Sequence, residues 1–181
     1  MKWKILSSET ILKDNWCTVR KDKCEKPDGT IVSHYYVYEF PTWATALAIT
    51  EDNKAVLVKQ YRHALEEISL ETPGGVVEDG ESFEKGIARE LLEETGYEFS
   101  EFHYLGKTSP NPSTNNNWMH MFLATGGKKI AEQSLDQNEE IEVELYSIEE
   151  LKQLVKENKI IQAMHVNCIV HGLLKMGEIS F

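Results

Sequence analysis

The stretch GGVVEDGESFEKGIARELLEETGY, Gly74 to Tyr97, leaves this chain the least freedom. Ser82 offers a hydroxyl to cap a helix, Glu84 falls in the positively polarised first turn, and Gly96 stands where a left-handed residue ends a helix. A helix over Phe83–Thr95 follows. At about 100° per residue its buried stripe is Ile87, Ala88, Leu91 and Leu92, while Glu90, Glu93 and Glu94 share another face. Like charges at these spacings cost about 0.2–0.5 kcal/mol per pair. Two arrangements account for them: a solvated surface, or carboxylates converging on a hard divalent cation whose shell is completed by water and substrate phosphates. Gly86, one turn before Glu90, costs about 1 kcal/mol relative to alanine, which implies a close approach by a neighbouring loop.

Around this helix the pattern is mostly extended. Residues 1–40 read as hairpins, with alternating runs about Pro27-Asp28-Gly29. Residues 43–63 repeat the arrangement about Asp52-Asn53. EFHYLGKTS and WMHMFLATG form a second strand pair after the helix, Ile141–Tyr146 is a further strand, and SIEELKQLVKENK and MHVNCIVHGLLKM are amphipathic helices. The expected class is α/β (α+β), a mixed β-sheet sandwiched between helices with an N-terminal strand extension. No repeat or linker divides the 181 residues.

Thirty acids against 19 bases give a formal charge of −11, which argues against a nucleic-acid partner and suits a divalent cation. Three cysteines without CxxC spacing argue against a disulfide framework or a zinc ribbon. No apolar run reaches membrane-spanning or signal-peptide length. The expectation is a cytoplasmic protein with no membrane partner. GxSxG, GxxxxGK[ST] and HExxH are absent, and the six histidines suggest no ligand cluster.

Gly75, then Glu81, then Arg89-Glu90-Leu91-Leu92-Glu93-Glu94-Thr95-Gly96-Tyr97 resembles the Nudix box at every fixed position. The family hydrolyses nucleoside diphosphates linked to another moiety. The resemblance implies Mg²⁺, with Mn²⁺ as a substitute, on Glu90 and Glu94, with Glu93 as ligand or base and the Gly74 carbonyl as a further ligand. It gives Glu81 and Arg89 the task of tying the loop to the helix, Arg89 orienting the acids, with Gly75 and Gly96 as structural support.

VLVKQYRHALEEISLETPGGVVEDGE and TSPNPSTNNNWMHMFLA are similar to stretches of the ADP-ribose pyrophosphatases. That similarity implies ADP-ribose as substrate, split to AMP and ribose 5-phosphate, with GDP-mannose or another nucleoside diphosphate sugar as the alternative. Residues 1–42 would be a strand region for dimerisation and substrate contact, and 43–181 the hydrolase domain of a homodimer. Substrate contacts would come from Arg62, Trp16, Ser109, Pro110 and Asn115. Arg62 fits a phosphate clamp or a surface ion pair, and Trp16 fits base stacking or packing. Two departures stand out: Asn115 where a glutamate commonly follows the Ser-Pro turn, and Gln137 where the late loop can carry a base. Glu139 is the substitute base candidate beside Glu93, or part of a solvated acidic loop. A domain that has lost catalysis and senses nucleotide is the reading of another class.

Overall fold

The computed structural model describes residues 1–14 and 17–180. The chain divides into two compact units, Met1–Thr42 with Ser109–Trp118, and Trp43–Thr108 with the residues from Met119 onward.

In the first unit, β1 (Lys4–Lys13), β2 (Thr18–Glu25) and β3 (Ile31–Glu39) make an antiparallel sheet in that order. The turn at Pro27-Asp28-Gly29 forms as its residues dictate: Asp28 accepts the Thr30 N–H at 3.0 Å, and Gly29 takes φ 83°. Ser109–Trp118 joins this unit through a bridge between Tyr38 and Asn115 and a bond from the Asn117 side chain to the Pro41 carbonyl. Every residue of β1 is exposed, Ile5, Leu6, Ile11 and Leu12 included.

The second unit is built on β4 (Trp43–Thr50), of which all but Trp43 are buried. Its alternation sorts side chains by size. Ala44, Ala46 and Ala48 face α1 (Phe83–Thr95) together with Val56, Phe122, Ile87 and Leu91. Leu47 and Ile49 pack with Leu57, Met121 and Leu123 against α2 (Ile148–Lys156) and α3 (Ala163–Met176). Small residues on one face bring α1 close to the sheet, and large ones on the other fill the wider gap. Burying one such leucine stabilises by about 1.5–3 kcal/mol.

β4 pairs in parallel with β10 (Met119–Lys129) and antiparallel with β5 (Lys54–Arg62) and β7 (Gly74–Val76). Outside these lie β6 (Glu67–Glu71) and β11 (Ile141–Ser147) on β5, and β8 (Tyr97–Glu98) and β9 (Glu101–Thr108) on β10. This is the expected mixed sheet between helices. Three strands carried no sequence expectation: β7 and β8 are too short for a pattern, and β6 runs against its own. Its polar Ser69 and Glu71 are buried to 1% and 2% exposure while Ile68 is 69% exposed. Ser82 caps α1 by accepting the Lys85 N–H, and Gly96 ends it at φ 74°. Of the expected stripe, Ile87 and Leu91 are fully buried and Ala88 and Leu92 half-buried.

Candidate active site

β7 and α1 meet at two glycines. Gly74 lies at φ 147°, and a Cβ there would come within 2.2 Å of the Ala44 carbonyl oxygen. A Cβ on Gly75 would strike the Glu90 carboxyl group at 2.6 Å. Only residues without side chains let the strand run under the helix so that its acids reach the backbone. Glu94 uses this approach, accepting the Gly74 N–H at 2.8 Å. Gly86 meets Glu81 and Val77 of the preceding loop in the same way, the close approach its presence in a helix implied.

The three box acids do not share one environment. Glu94 is buried, and burial pushes its carboxyl up to about 8 against the lowering effect of the Gly74 N–H. Burial also raises Glu90, against the pull of Arg89. Glu93 is the most exposed, its side chain at 43%. Arg89 organises them: Nη1 donates to Glu90 and Glu93 at 2.9 Å each, Nη2 to the Val76 carbonyl at 2.9 Å and to Glu81 at 3.2 Å, and Nε to Glu81 at 3.3 Å. Burial alone would lower its pKa, but the carboxylates outweigh that and hold it above the usual range. Glu81 and Arg89 thus join the loop to the helix.

Among the described residues no three acidic, histidine or cysteine side chains converge as around a bound ion. In this arrangement Arg89 draws Glu90 and Glu93 to itself. The donor chemistry still fits a hard divalent cation. Its side-chain donors are carboxylate oxygens, and one of them, Glu94, is buried where its negative charge is costly without a cation.

Arg62, at the end of β5, grips buried Glu71 with Nε at 2.8 Å and Nη2 at 2.5 Å. His165 of α3 approaches the same carboxylate at 3.1 Å. Its other ring nitrogen lies 2.6 Å from the Thr72 hydroxyl, which is 2.7 Å from that of Thr45. Burial alone would raise Glu71, but the Arg62 and His165 bonds hold it well below the usual carboxylate range. Glu71, Thr72, His165 and Thr45 had no place in the sequence reading. Their one signal is an acid in the strand-like run that leads into the Gly74 turn.

Glu139 sits in the loop between β10 and β11, where its amide donates to the Asp136 carbonyl and its carboxylate accepts the Asp136 N–H, each at 3.0 Å. Its charge raises the pKa of Glu90, Glu94 and Arg62, so it shares their field. Gln137 is exposed in the same loop. Ser109, Pro110 and Asn115 belong to the first unit, where Asn115 donates its N–H to the Asn111 carbonyl at 2.8 Å. Trp16 lies outside the described residues.

Comparison with known proteins bears on this geometry. Residues 40–164 match the family model "NUDIX domain", and residues 3–38 match "Nucleoside diphosphate sugar hydrolase N-terminal domain". The chain is 32% identical over 158 residues to a methanol dehydrogenase activator of Bacillus methanolicus, covering 87% of this chain and 85% of that protein. It is 30% identical over 173 residues to an ADP-ribose pyrophosphatase of Bacillus subtilis, covering 95% and 93%. A crystal structure of an ADP compounds hydrolase superposes with a TM-score of 0.85 at 22% identity, covering 99% of this chain and 98% of that one, a likeness of fold.

Proposed function

Because the chain belongs to the Nudix hydrolase family and is a pyrophosphatase of its nucleoside-diphosphate-sugar type, we propose that its substrate is ADP-ribose, cleaved to AMP and ribose 5-phosphate. The observation that carries this reading is the pairing of a buried, cation-seeking carboxylate, Glu94 on the Gly74 turn, with an arginine, Arg62, fixed by buried Glu71. The 30% identity to an ADP-ribose pyrophosphatase over 95% of the chain supports this choice over GDP-mannose.

The bond to be broken joins two phosphates that carry two negative charges between them. Glu90, Glu94 and the Gly74 carbonyl would hold Mg²⁺, or Mn²⁺ in its place. That ion supplies positive charge against the pyrophosphate. Arg62 adds the Nη1 face that Glu71 does not engage, suited to a phosphate oxygen. Arg89 restrains Glu90 and Glu93. Glu139 is taken as the general base, since Glu93 is already engaged by Arg89, whereas no arginine or lysine bonds Glu139 among the described residues. Water attacks one phosphorus as its proton passes to Glu139; the new P–O bond forms as that phosphorus loses its bond to the bridging oxygen, which leaves on the other phosphate. A homodimer accords with the exposed apolar side chains of β1, and a monomeric mass by light scattering would remove that element.

Phosphate release coupled to a phosphatase, with Mg²⁺ and ADP-ribose, GDP-mannose, diadenosine polyphosphates, NADH and dNTPs, tests the reading. ADP-ribose should give the highest kcat/KM, and Glu94→Gln should lower kcat about 10²–10³-fold. A wild-type rate in that variant removes the ligand assignment, and a preference for another substrate removes ADP-ribose. A second reading, a nucleotide-sensing domain that acts on another protein, is favoured by the relative named a methanol dehydrogenase activator. Tight ADP-ribose binding without turnover of any substrate would select it.

A further inference from the structure

The loop that carries Glu139 is fastened to the last turn of α1 at several points. The amides of Ile130 and Ala131 donate to the Gly96 carbonyl at 2.9 and 3.2 Å, and the Ser134 amide donates to the Glu93 carbonyl at 2.8 Å. A helix end leaves its final carbonyls unpaired, and this loop takes them up. Bonds from main-chain amides are open to nearly any sequence. The remaining fastening is not. The side-chain nitrogen of Gln133 donates to the Glu94 carbonyl at 2.7 Å and to the Ile141 carbonyl at 3.0 Å.

Those two acceptors lie on different elements. Glu94 is on α1 and carries the buried carboxylate of the site; Ile141 begins β11, where the loop ends. One carboxamide therefore closes the loop at its start and its finish and ties both to the helix. Both bonds are donated, which sets the residue type. A glutamate of the same shape would turn carboxylate oxygens toward two carbonyls, and an asparagine falls one methylene short. Within the closed span, Asp136 and Glu139 bond to one another in both directions at 3.0 Å.

We infer that Gln133 is a positioning residue, which holds the 134–140 loop on the last turn of α1 and thereby sets Glu139 where it can take the proton from the attacking water. This rests on the reading of Glu139 as the general base. Gln133 would therefore govern the rate of the chemical step and leave substrate affinity untouched. Among the described residues Gly74 and Arg62 have no bond to it, and its bond to Glu94 is to the main-chain carbonyl rather than to the carboxylate that would hold the cation.

Kinetics on the best substrate of the panel, with hydrogen exchange, test this on the full chain. Gln133→Ala should lower kcat about 10–100-fold, the range for loss of an orienting partner, with KM within about twofold. Gln133→Glu should be as impaired, whereas Gln133→Asn, which keeps the donor but is too short to span both carbonyls, should recover only the part of the rate that one bond supports. In Gln133→Ala, amide exchange at Ser134 and Glu139 should be at least about tenfold faster while the middle of α1 stays protected. Glu139→Gln should be slow, and adding Gln133→Ala to it should cost nothing more, because the two changes act through one group. A wild-type kcat or wild-type exchange in Gln133→Ala, with Glu139→Gln slow, overturns the positioning role and leaves the base standing. Additive losses in the double variant also overturn it. A wild-type rate in Glu139→Gln removes the base reading and the inference together.

Discussion

Arg89 and Arg62 make the instructive comparison. Arg89 is a cation surrounded by anions: it bonds Glu81, Glu90 and Glu93, two of them on its own helix, and its side chain is 27% exposed. Arg62 is a cation held by one anion, Glu71, which is buried to 2% exposure and steadied from behind by His165. In the first cluster the arginine is the hub and the acids can leave it. In the second the acid is the hub and the arginine is fixed. Under the proposed function, an acidic pole would have to open to a divalent cation and a basic pole stay in place for phosphate, and these opposite constructions suit those tasks.

The largest effect expected from breaking this contrast is on folding. Glu71→Ala removes the hub and leaves His165 and the inner side of Arg62 without their acceptor. Breaking a buried pair in this way costs about 3–5 kcal/mol, read as a lower urea midpoint at unchanged slope. A loss under 1 kcal/mol would show that the Glu71 cluster is no more committed than that of Arg89.

Arg89→Ala should do the reverse. Its pairs are partly solvated and each is worth about 0–1 kcal/mol, so the melting temperature should change little. Activity should fall about 10–100-fold, as for loss of a group that orients ligands, and higher Mg²⁺ should recover part of it by competing for the freed acids. Should the variant unfold while its residual activity stays near wild type, Arg89 would be a folding device and the contrast would collapse.

The Arg89 cluster was legible in the sequence and the Glu71 cluster was not, for physical reasons. Glu81, Arg89, Glu90 and Glu93 fall within 13 positions: the helical period puts Glu90 and Glu93 on one face, and the resemblance to the Nudix box supplies the tie of Arg89 to Glu81 and to those acids. Ser82 and Gly96 set its ends by chemistry that residue type alone reveals. Arg62, Glu71 and His165 lie on three elements, with 94 positions between Glu71 and its histidine. Glu71 also occupies a strand whose exposed Ile68 inverts the usual rule of apolar side chains inward. Gln133 left no trace at all, because its partners are two carbonyls that every residue possesses. The helix-bounded sheet was readable for the same local reasons, while β7 needed the Gly74 turn to be seen packed on Ala44.

The smallest predicted effect separates the clusters by pH. Glu71 has a lower pKa in the folded chain than in the unfolded one, since the bonds from Arg62 of β5 and His165 of α3 outweigh its burial. Below its ordinary value of 4.5 the unfolded chain therefore binds more protons at this residue than the native one. Its contribution is complete above that pH and is lost as pH falls toward the folded value, at no more than about 1.4 kcal/mol per pH unit. Urea unfolding between pH 6 and pH 2.5 should give a shallower acid limb for Glu71→Gln than for wild type. Glu81 is also held below its usual value by Arg89, but its side chain is part-exposed, at 17%, and Arg89 spreads its charge over three acids, so the pair is worth less than that of buried Glu71. Arg89→Ala should therefore leave the acid limb nearly as it was. If Arg89→Ala flattened that limb and Glu71→Gln did not, the native protein's acid stability would reside in the open cluster, and Glu71 would no longer be the fixed hub.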